Sequence, residues 1–126
     1  MENVKIPEGY QRVTPYLIVP DAAGFLAFTQ KIFGATEKYK MMRDEKIIRH
    51  AEISIGDSVI MFADSTEQYP PSPAGLFVYV TDADETYRQA LAEGAVSVGE
   101  PADQSYGRSC GVLDPFGNTW WITSVK

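Results

Sequence analysis

Val19-Pro20-Asp21-Ala22 returns in the second half of the chain as Val80-Thr81-Asp82-Ala83, each copy lying between a strand-like run and a helix-like one. Aspartate is a favoured helix N-cap because its carboxylate accepts a hydrogen bond from an amide that the first turn leaves unpaired. After the first copy, Phe25, Phe28 and Ile32 recur at helical spacing up to Gly34; after the second, Tyr87, Ala90 and Leu91 do so up to Gly94. Glu85, three residues past Asp82, predicts a capping box in which its side chain reaches back to the cap amide. Gly34-Ala35 also matches Gly94-Ala95, and Gly56-Asp57 matches Gly117-Asn118, at nearly the same offset. A duplicated unit explains these coincidences together; the alternative is two independent α/β units with common capping chemistry.

Working outward, residues 12–19 read as a strand before the first helix. Residues 36–43, 47–55 and 58–62 read as three strands after it, broken at Asp44-Glu45 and Gly56-Asp57. The second half offers strands at 76–80, around Val96, at 108–113 and at 119–124. The last two are joined by Asp114-Pro115-Phe116-Gly117, with Pro to fix φ and Gly to accept a positive one. Between the halves, Tyr69-Pro70-Pro71-Ser72-Pro73 lacks the amide donors of a sheet interior and reads as a surface connection. The expected fold class is α+β: two tandem βαβββ modules, about residues 10–64 and 75–126, joined by a linker at about 65–74. They form one domain over residues 1–126 whose cupped mixed sheets carry the helices on their convex side.

The 126 residues fall in the range of one domain, and 44% hydrophobic content is ample for a core. A net charge of -6 without clustered Lys or Arg gives no footprint for nucleic acid. No apolar run approaches a membrane span, and the first ten residues lack the pattern of a signal peptide, so a cytoplasmic location is expected. A single cysteine, Cys110, excludes an internal disulfide and a multi-cysteine zinc cluster. Arg108 nearby could lower its thiol pKa, but with no second histidine to partner it, inert packing is the preferred reading.

Strand alternation sorts the side chains. On the first strand Val13, Leu17 and Val19 should pack on the helix, leaving Thr14, Tyr16 and Ile18 on the concave face; on the third, Ala51, Ile53 and Ile55 pack while His50, Glu52 and Ser54 face the cup. Leu76, Val78 and Val80 pack, so Phe77 and Tyr79 face the cup, as do Trp121 and Thr123 beside inward Trp120 and Ile122. An aromatic pocket with a few polar groups suits a small organic ligand. His50, the only histidine, and Glu52 are the one acid–base pair on a common face and the candidate catalytic residues; the bland alternative is a pair of structural polar groups. Thr14, Tyr16, Phe77, Tyr79, Arg108 and Trp121 are the candidate ligand-binding residues. Arg108, with Tyr106, borders a loop where a guanidinium and a phenol could meet an anion; the preferred alternative is an ordinary surface pair.

Three segments resemble the glyoxalase, bleomycin-resistance and extradiol-dioxygenase superfamily, also called the vicinal oxygen chelate fold: Thr14-Pro15-Tyr16-Leu17-Ile18-Val19, His50-Ala51-Glu52-Ile53-Ser54-Ile55-Gly56-Asp57-Ser58 and Asp114-Pro115-Phe116-Gly117-Asn118-Thr119-Trp120-Trp121. The likeness spans essentially the whole chain, and is greatest to the glyoxalase-like proteins associated with phosphonate operons. The resemblance implies four metal-ligand positions, one each on the first and last strands of both modules. Here they fall on Thr14, on Ile60 or Met61, on Gly75 and on Trp121, none of which offers an imidazole or a carboxylate. No metal site and no cofactor is therefore expected, and lactoylglutathione lyase chemistry, which needs a metal to hold enediolate oxygens, is disfavoured.

The leading expectation is a small-molecule-binding protein or metal-independent enzyme with its pocket between the modules. The alternatives are a metal-dependent lyase, isomerase or dioxygenase with ligands relocated to positions such as His50 and Glu52, and a resistance protein that sequesters a drug. Exposed sheet edges, and the pairing common among proteins of this pattern, predict a homodimer.

Overall fold

Both capping aspartates act as their sequence context predicts. In the computed structural model, which describes residues 3–125, Asp21 accepts from the Gly24 amide (3.0 Å) and Asp82 from the Glu85 amide (3.1 Å). These contacts open α1 (Ala22–Phe33) and α2 (Ala83–Ala92). Gly34 ends α1 at φ 66°, a left-handed conformation that a Cβ would strain. Only half of the expected capping box forms, because the Glu85 carboxylate turns along the helix to Arg88 and Gln89 instead of back to the cap. These partners lie one turn on, where helical geometry brings side chains together.

Module one continues β1 (Tyr16–Val19), α1, β2 (Thr36–Met42), β3 (Ile48–Ile55) and β4 (Ser58–Asp64). Module two runs β5 (Gly75–Tyr79), α2, β6 (Val96–Gln104), β7 (Gly107–Leu113) and β8 (Thr119–Ser124). The sheets have the orders β1-β4-β3-β2 and β5-β8-β7-β6, each with its first strand parallel to its last and the remaining pairs antiparallel. The duplication inferred from caps and turns is thus a duplication of topology. Among the described residues no helix is long and apolar enough to cross a membrane.

The first strand is shorter than expected. It begins at Tyr16, and Val13, expected to pack on the helix, is 82% exposed. The cause is Gln11, whose side-chain amide donates to the Val59 carbonyl (2.7 Å) and accepts from the Val59 amide (3.2 Å). A side chain thereby satisfies backbone groups of β4 that a longer β1 would have paired, and the chain before Pro15 is released from the sheet. At the far end of β4, Asp64 accepts from the amides of Ala22 and Ile48, both at 2.7 Å, tying the first turn of α1 to the start of β3. Ser124 holds the Ala83 amide of α2 in the same way (3.2 Å).

The apolar faces of both sheets feed one core. Leu17, Val19, Ala51, Ile53 and Phe62 from module one join Val78, Cys110, Val112, Trp120 and Ile122 from module two in a single buried cluster. The α2 contribution is centred on Ala83, Thr86 and Ala90; Leu91, read as part of that face, lies at its margin and is 36% exposed. The modules interlock through aromatic rings. Phe33 of α1 lies 4.5 Å from Trp120 of β8, Phe25 stacks on Trp120 at 6.5 Å, and Phe116 meets Phe25 edge-on at 5.9 Å. Since the helix-bearing faces meet in this core, the two concave faces are turned outward.

The turn before β8 anchors the interlock. Asp114, Asn118 and Trp120 are almost fully buried. One Asp114 oxygen accepts from the amides of Phe116 (2.8 Å) and Asn118 (2.9 Å), and the other from Asn118 Nδ2 (3.1 Å) and Trp120 Nε1 (2.8 Å). Asn118 Oδ1 in turn accepts from Ala74 N (2.9 Å), fixing the end of the linker. Replacing Asp114 with Ala strands several buried donors together and should cost about 3 kcal/mol. Urea unfolding of the variant beside the parent measures this; a loss indistinguishable from that of a surface substitution would contradict it.

Candidate functional site

Period-two alternation in β3 places His50 and Glu52 on the concave face of module one, and β1 brings Tyr16 alongside. The three side chains form a continuous hydrogen-bonded chain. Glu52 Oε2 lies 2.7 Å from His50 Nε2, and His50 Nδ1 lies 2.9 Å from the Tyr16 hydroxyl. The Tyr16 and His50 rings stack with centroids 5.5 Å apart, and Tyr39 flanks the imidazole at 6.0 Å. The other Glu52 oxygen accepts from the Tyr10 hydroxyl, a partner that strand patterning could not reveal because Tyr10 lies before β1. Lys38 sits 4.6 Å over the Tyr10 ring.

Charge and burial set the protonation of this chain. Burial pushes the Glu52 carboxyl up, but the hydrogen bonds from Tyr10 and His50 and the charges of His50 and Lys38 outweigh it and hold Glu52 below the usual range. The Tyr16 phenol is raised, by burial and by the Glu52 charge. The Tyr10 phenol is raised by its bond to Glu52, by burial and by the Glu52 charge. At neutral pH, then, Glu52 is an ionised acceptor and both phenols keep their protons. In the neutral form of His50 this arrangement puts the hydrogen on Nε2, facing Glu52, and offers the Nδ1 lone pair to Tyr16. The outermost group, Tyr16, is 49% exposed, whereas Glu52 is 7% exposed. This chain can pass a proton between a ligand at Tyr16 and the imidazole, with Glu52 stabilising the imidazolium.

Module two presents a different concave face. Phe77, Tyr79 and Trp121 stand exposed on β5 and β8, with Phe77 edge-on to Tyr79 at 5.2 Å and 6.3 Å from Tyr106. Gly111 pairs with Trp121 across β7 and β8, and a Cβ there would fall 2.5 Å from Trp121 Cζ3 and 2.8 Å from Val98 Cγ2. The missing side chain lets the indole lie flat against the sheet. Sequence reading passed over Gly111 because a glycine within a strand carries no sign of which ring it accommodates. Thr123, placed on this face by alternation, is fully buried and paired with Ser109 (2.9 Å).

The sequence candidates therefore separate into groups. Tyr16, His50 and Glu52 assemble on one concave face, and Phe77, Tyr79 and Trp121 on the other. No hydrogen bond or ring contact among the described residues joins the two sets. Thr14 precedes β1, with its hydroxyl directed to the Gln11 carbonyl (3.5 Å). Arg108 lies on the helix side of its sheet, in the same alternation as Cys110 and Val112, and donates to both oxygens of Asp84 (2.9 and 3.0 Å) with Asp103 3.4 Å away. That pairing already satisfies its guanidinium. Cys110 is buried, and burial and the Asp84 charge, against a smaller opposing effect of Arg108, push its thiol up to about 11. The expected inert packing fits a thiol so reluctant to ionise.

Residues 10–122 match the family model of the Glyoxalase/Bleomycin resistance protein/Dioxygenase superfamily. The chain belongs to this superfamily. It is similar to the uncharacterized protein Rv0887c of Mycobacterium tuberculosis, 32% identical over 120 residues that cover 86% of this chain and 71% of that one. Among solved structures it resembles TioX from Micromonospora sp. ML1, with TM-score 0.72, 24% identity and coverage of 92% and 97% of the two chains. It also resembles TnmS3, an antibiotic binding protein from Streptomyces sp. CB03234, with TM-score 0.69, 18% identity and coverage of 93% and 100%.

Strand register resolves the ambiguity in this superfamily's ligand positions. Tyr16 pairs with Met61 as Phe77 pairs with Trp121, so Met61 and not Ile60 is the counterpart of Trp121. The positions are then Thr14, Met61, Gly75 and Trp121, and a hydroxyl, a thioether, no side chain and an indole do not fit a divalent metal. The relocated alternative fares no better. His50 and Glu52 are bonded to each other, and among the described residues no group of three or more His, Cys, Asp or Glu side chains is placed to hold an ion.

The lowered Glu52 pKa has a definite consequence for stability. A carboxyl depressed on folding contributes stability above its unfolded pKa and loses it as pH falls through the folded value. The stability difference between the parent and Glu52→Gln should therefore be largest near neutral pH and shrink as pH falls below the usual carboxylate range. Chemical denaturation across that range checks this; a difference independent of pH would show that Glu52 is not held as a carboxylate.

Proposed function

We propose that this protein binds a small organic molecule in a cup shared by two chains of a homodimer, and that it does so without a metal. In this reading module one of one chain supplies the Tyr16–His50–Glu52 chain, and module two of the partner supplies the Phe77, Tyr79 and Trp121 platform. The observation that carries the proposal is the outward orientation of two complementary concave faces. One bears a fully partnered acid–base chain that runs from buried Glu52 through half-buried His50 to an exposed phenol. The other bears large rings left open to solvent, with Tyr79 67% and Phe77 51% exposed. Exposed aromatic surface of this kind marks an interaction face. Aromatic walls with a few convergent polar groups are the usual composition of a small-molecule site. The antibiotic-binding description of TnmS3, a structure of the same fold, supports a ligand-holding role.

Within such a cup Tyr16 is the group that meets the ligand. It donates a hydrogen bond to a ligand oxygen or nitrogen, or accepts a ligand proton while His50 takes its own, and Glu52 holds the imidazole in the required tautomer. The same parts serve a binding protein as a directional contact and an enzyme as an acid–base relay.

The two tryptophans make the test direct, since Trp121 is 44% exposed and Trp120 only 1%. Light scattering should return the mass of two chains. When chelator-treated protein is titrated with a panel of aromatic small molecules, bound members should quench Trp121 emission, and Trp121→Ala should weaken binding by about 2 kcal/mol. A monomer at micromolar concentration, or binding abolished by chelator, would overturn the reading.

A further inference from the structure

We infer that the ligand of the concave face of module one is an organic anion, a carboxylate or phosphate group on an apolar body, with its charge held by Arg43 and Arg49. This rests on the reading above that the ligand sits against Tyr16, and it adds the chemical class.

A cavity of about 570 Å³ opens beside Tyr16, between the C-terminal ends of β1 and β4, the start of β3 and the segment 65–72. The volume suits a small molecule. Its floor is apolar, formed by Ile18, Ile47, Ile48 and Ala63, and Tyr16 stands at its side. The covering segment is tied down at both ends: the Ser65 amide donates to the Val19 carbonyl (2.8 Å), and Ser72 and Ile18 exchange backbone hydrogen bonds (2.9 and 3.4 Å). Between these ties Tyr69 N donates to Thr66 Oγ1 (3.0 Å), so the walls are set before a ligand arrives.

The cavity's charge is the reverse of the protein's. The chain carries a net -6, yet two guanidiniums, Arg43 and Arg49, line this space from the β2–β3 hairpin. Neither has a carboxylate within ion-pair distance among the described residues, whereas Arg88 and Arg108 both do. The nearby acids are otherwise committed. Asp64, the one acidic residue of the lining, has each oxygen bonded to a backbone amide, one of them in the first turn of α1, where the helix dipole offsets its charge. Asp44, beside Arg43, gives one oxygen to the amides of Lys46 and Ile47, both at 2.8 Å, and feels the Arg43 charge without forming an ion pair with it. Two uncommitted planar donors at the rim of an apolar cavity recognise a planar or tetrahedral oxyanion by charge-assisted hydrogen bonds.

The test is calorimetric titration of the full chain with benzoate, phenyl phosphate, inorganic phosphate and neutral benzamide at low and high salt. Benzoate, phenyl phosphate or both should bind at least roughly tenfold more tightly than benzamide, and the preference should fall with salt. Whichever of the two binds identifies the head group. The Arg43→Gln/Arg49→Gln variant should lose this preference while keeping the parent's circular dichroism and its affinity for benzamide. An unchanged preference in that variant, or inorganic phosphate binding as well as phenyl phosphate, would overturn the inference. Trp121→Ala separates the two claims. Loss of every aromatic probe in Trp121→Ala, with no effect of the arginine substitutions, leaves the shared cup standing and rejects the anion. Arginine-dependent binding indifferent to Trp121 does the opposite.

Discussion

The packing of α1 onto the last strand of the other module determines what every other surface can do. Phe25 and Phe33 flank Trp120, Phe116 packs edge-on against Phe25, and Asp114 accepts from the indole nitrogen. Gly24 is part of the same fit, since a Cβ there would lie 2.9 Å from the Phe116 ring and closer still to the capping Asp21 carboxylate. Burying the convex faces against each other commits the helices to the interior. The concave faces are left outward, and what would be pocket lining in a closed cup becomes exposed aromatic surface. The apolar area on module two and the polar chain on module one are thus two consequences of one packing decision.

Duplication supplies the frame and divergence supplies the chemistry. Matching registers set Glu52 opposite Met61 in module one and Gly111 opposite Trp121 in module two. At equivalent places one sheet carries a buried carboxylate and the other carries nothing, which is what allows an indole to lie there. The hydrogen-bonded acid–base groups and the exposed aromatic rings are segregated into halves that share a backbone plan. Arg43 and Arg49 extend the polar half, giving it a charge of the sign the whole chain lacks.

Much of the fold was legible because its signals are local. Asp21, Asp82, Gly34 and Gly117 act within a few residues of themselves, and alternation alone put His50 and Glu52 on one face. Contacts that depend on distant segments were not legible. Gln11 replacing strand backbone at Val59, Tyr10 closing on Glu52, and Glu85 choosing Arg88 over its cap all depend on where another part of the chain comes to rest. The same holds for Arg108. Its position near a loop suggested a ligand, but alternation along β7 carries it to the helix side, where Asp84 is within reach. Proximity to Trp121 in sequence revealed nothing of Gly111, whose role appears only across the β7–β8 pair.

In the proposed dimer the two concave faces meet between chains and not within one. Cysteine bridging measures this without knowledge of the ligand, because the native Cys110 is buried and slow to ionise. A chain carrying both Tyr16→Cys and Trp121→Cys, treated with a short bis-maleimide and run on a denaturing gel, should appear as a covalent dimer. Mixing chains that carry only one substitution each should give the linked pair as well. A bridge formed within single chains, migrating as a monomer with both thiols consumed, would contradict a cup shared between chains.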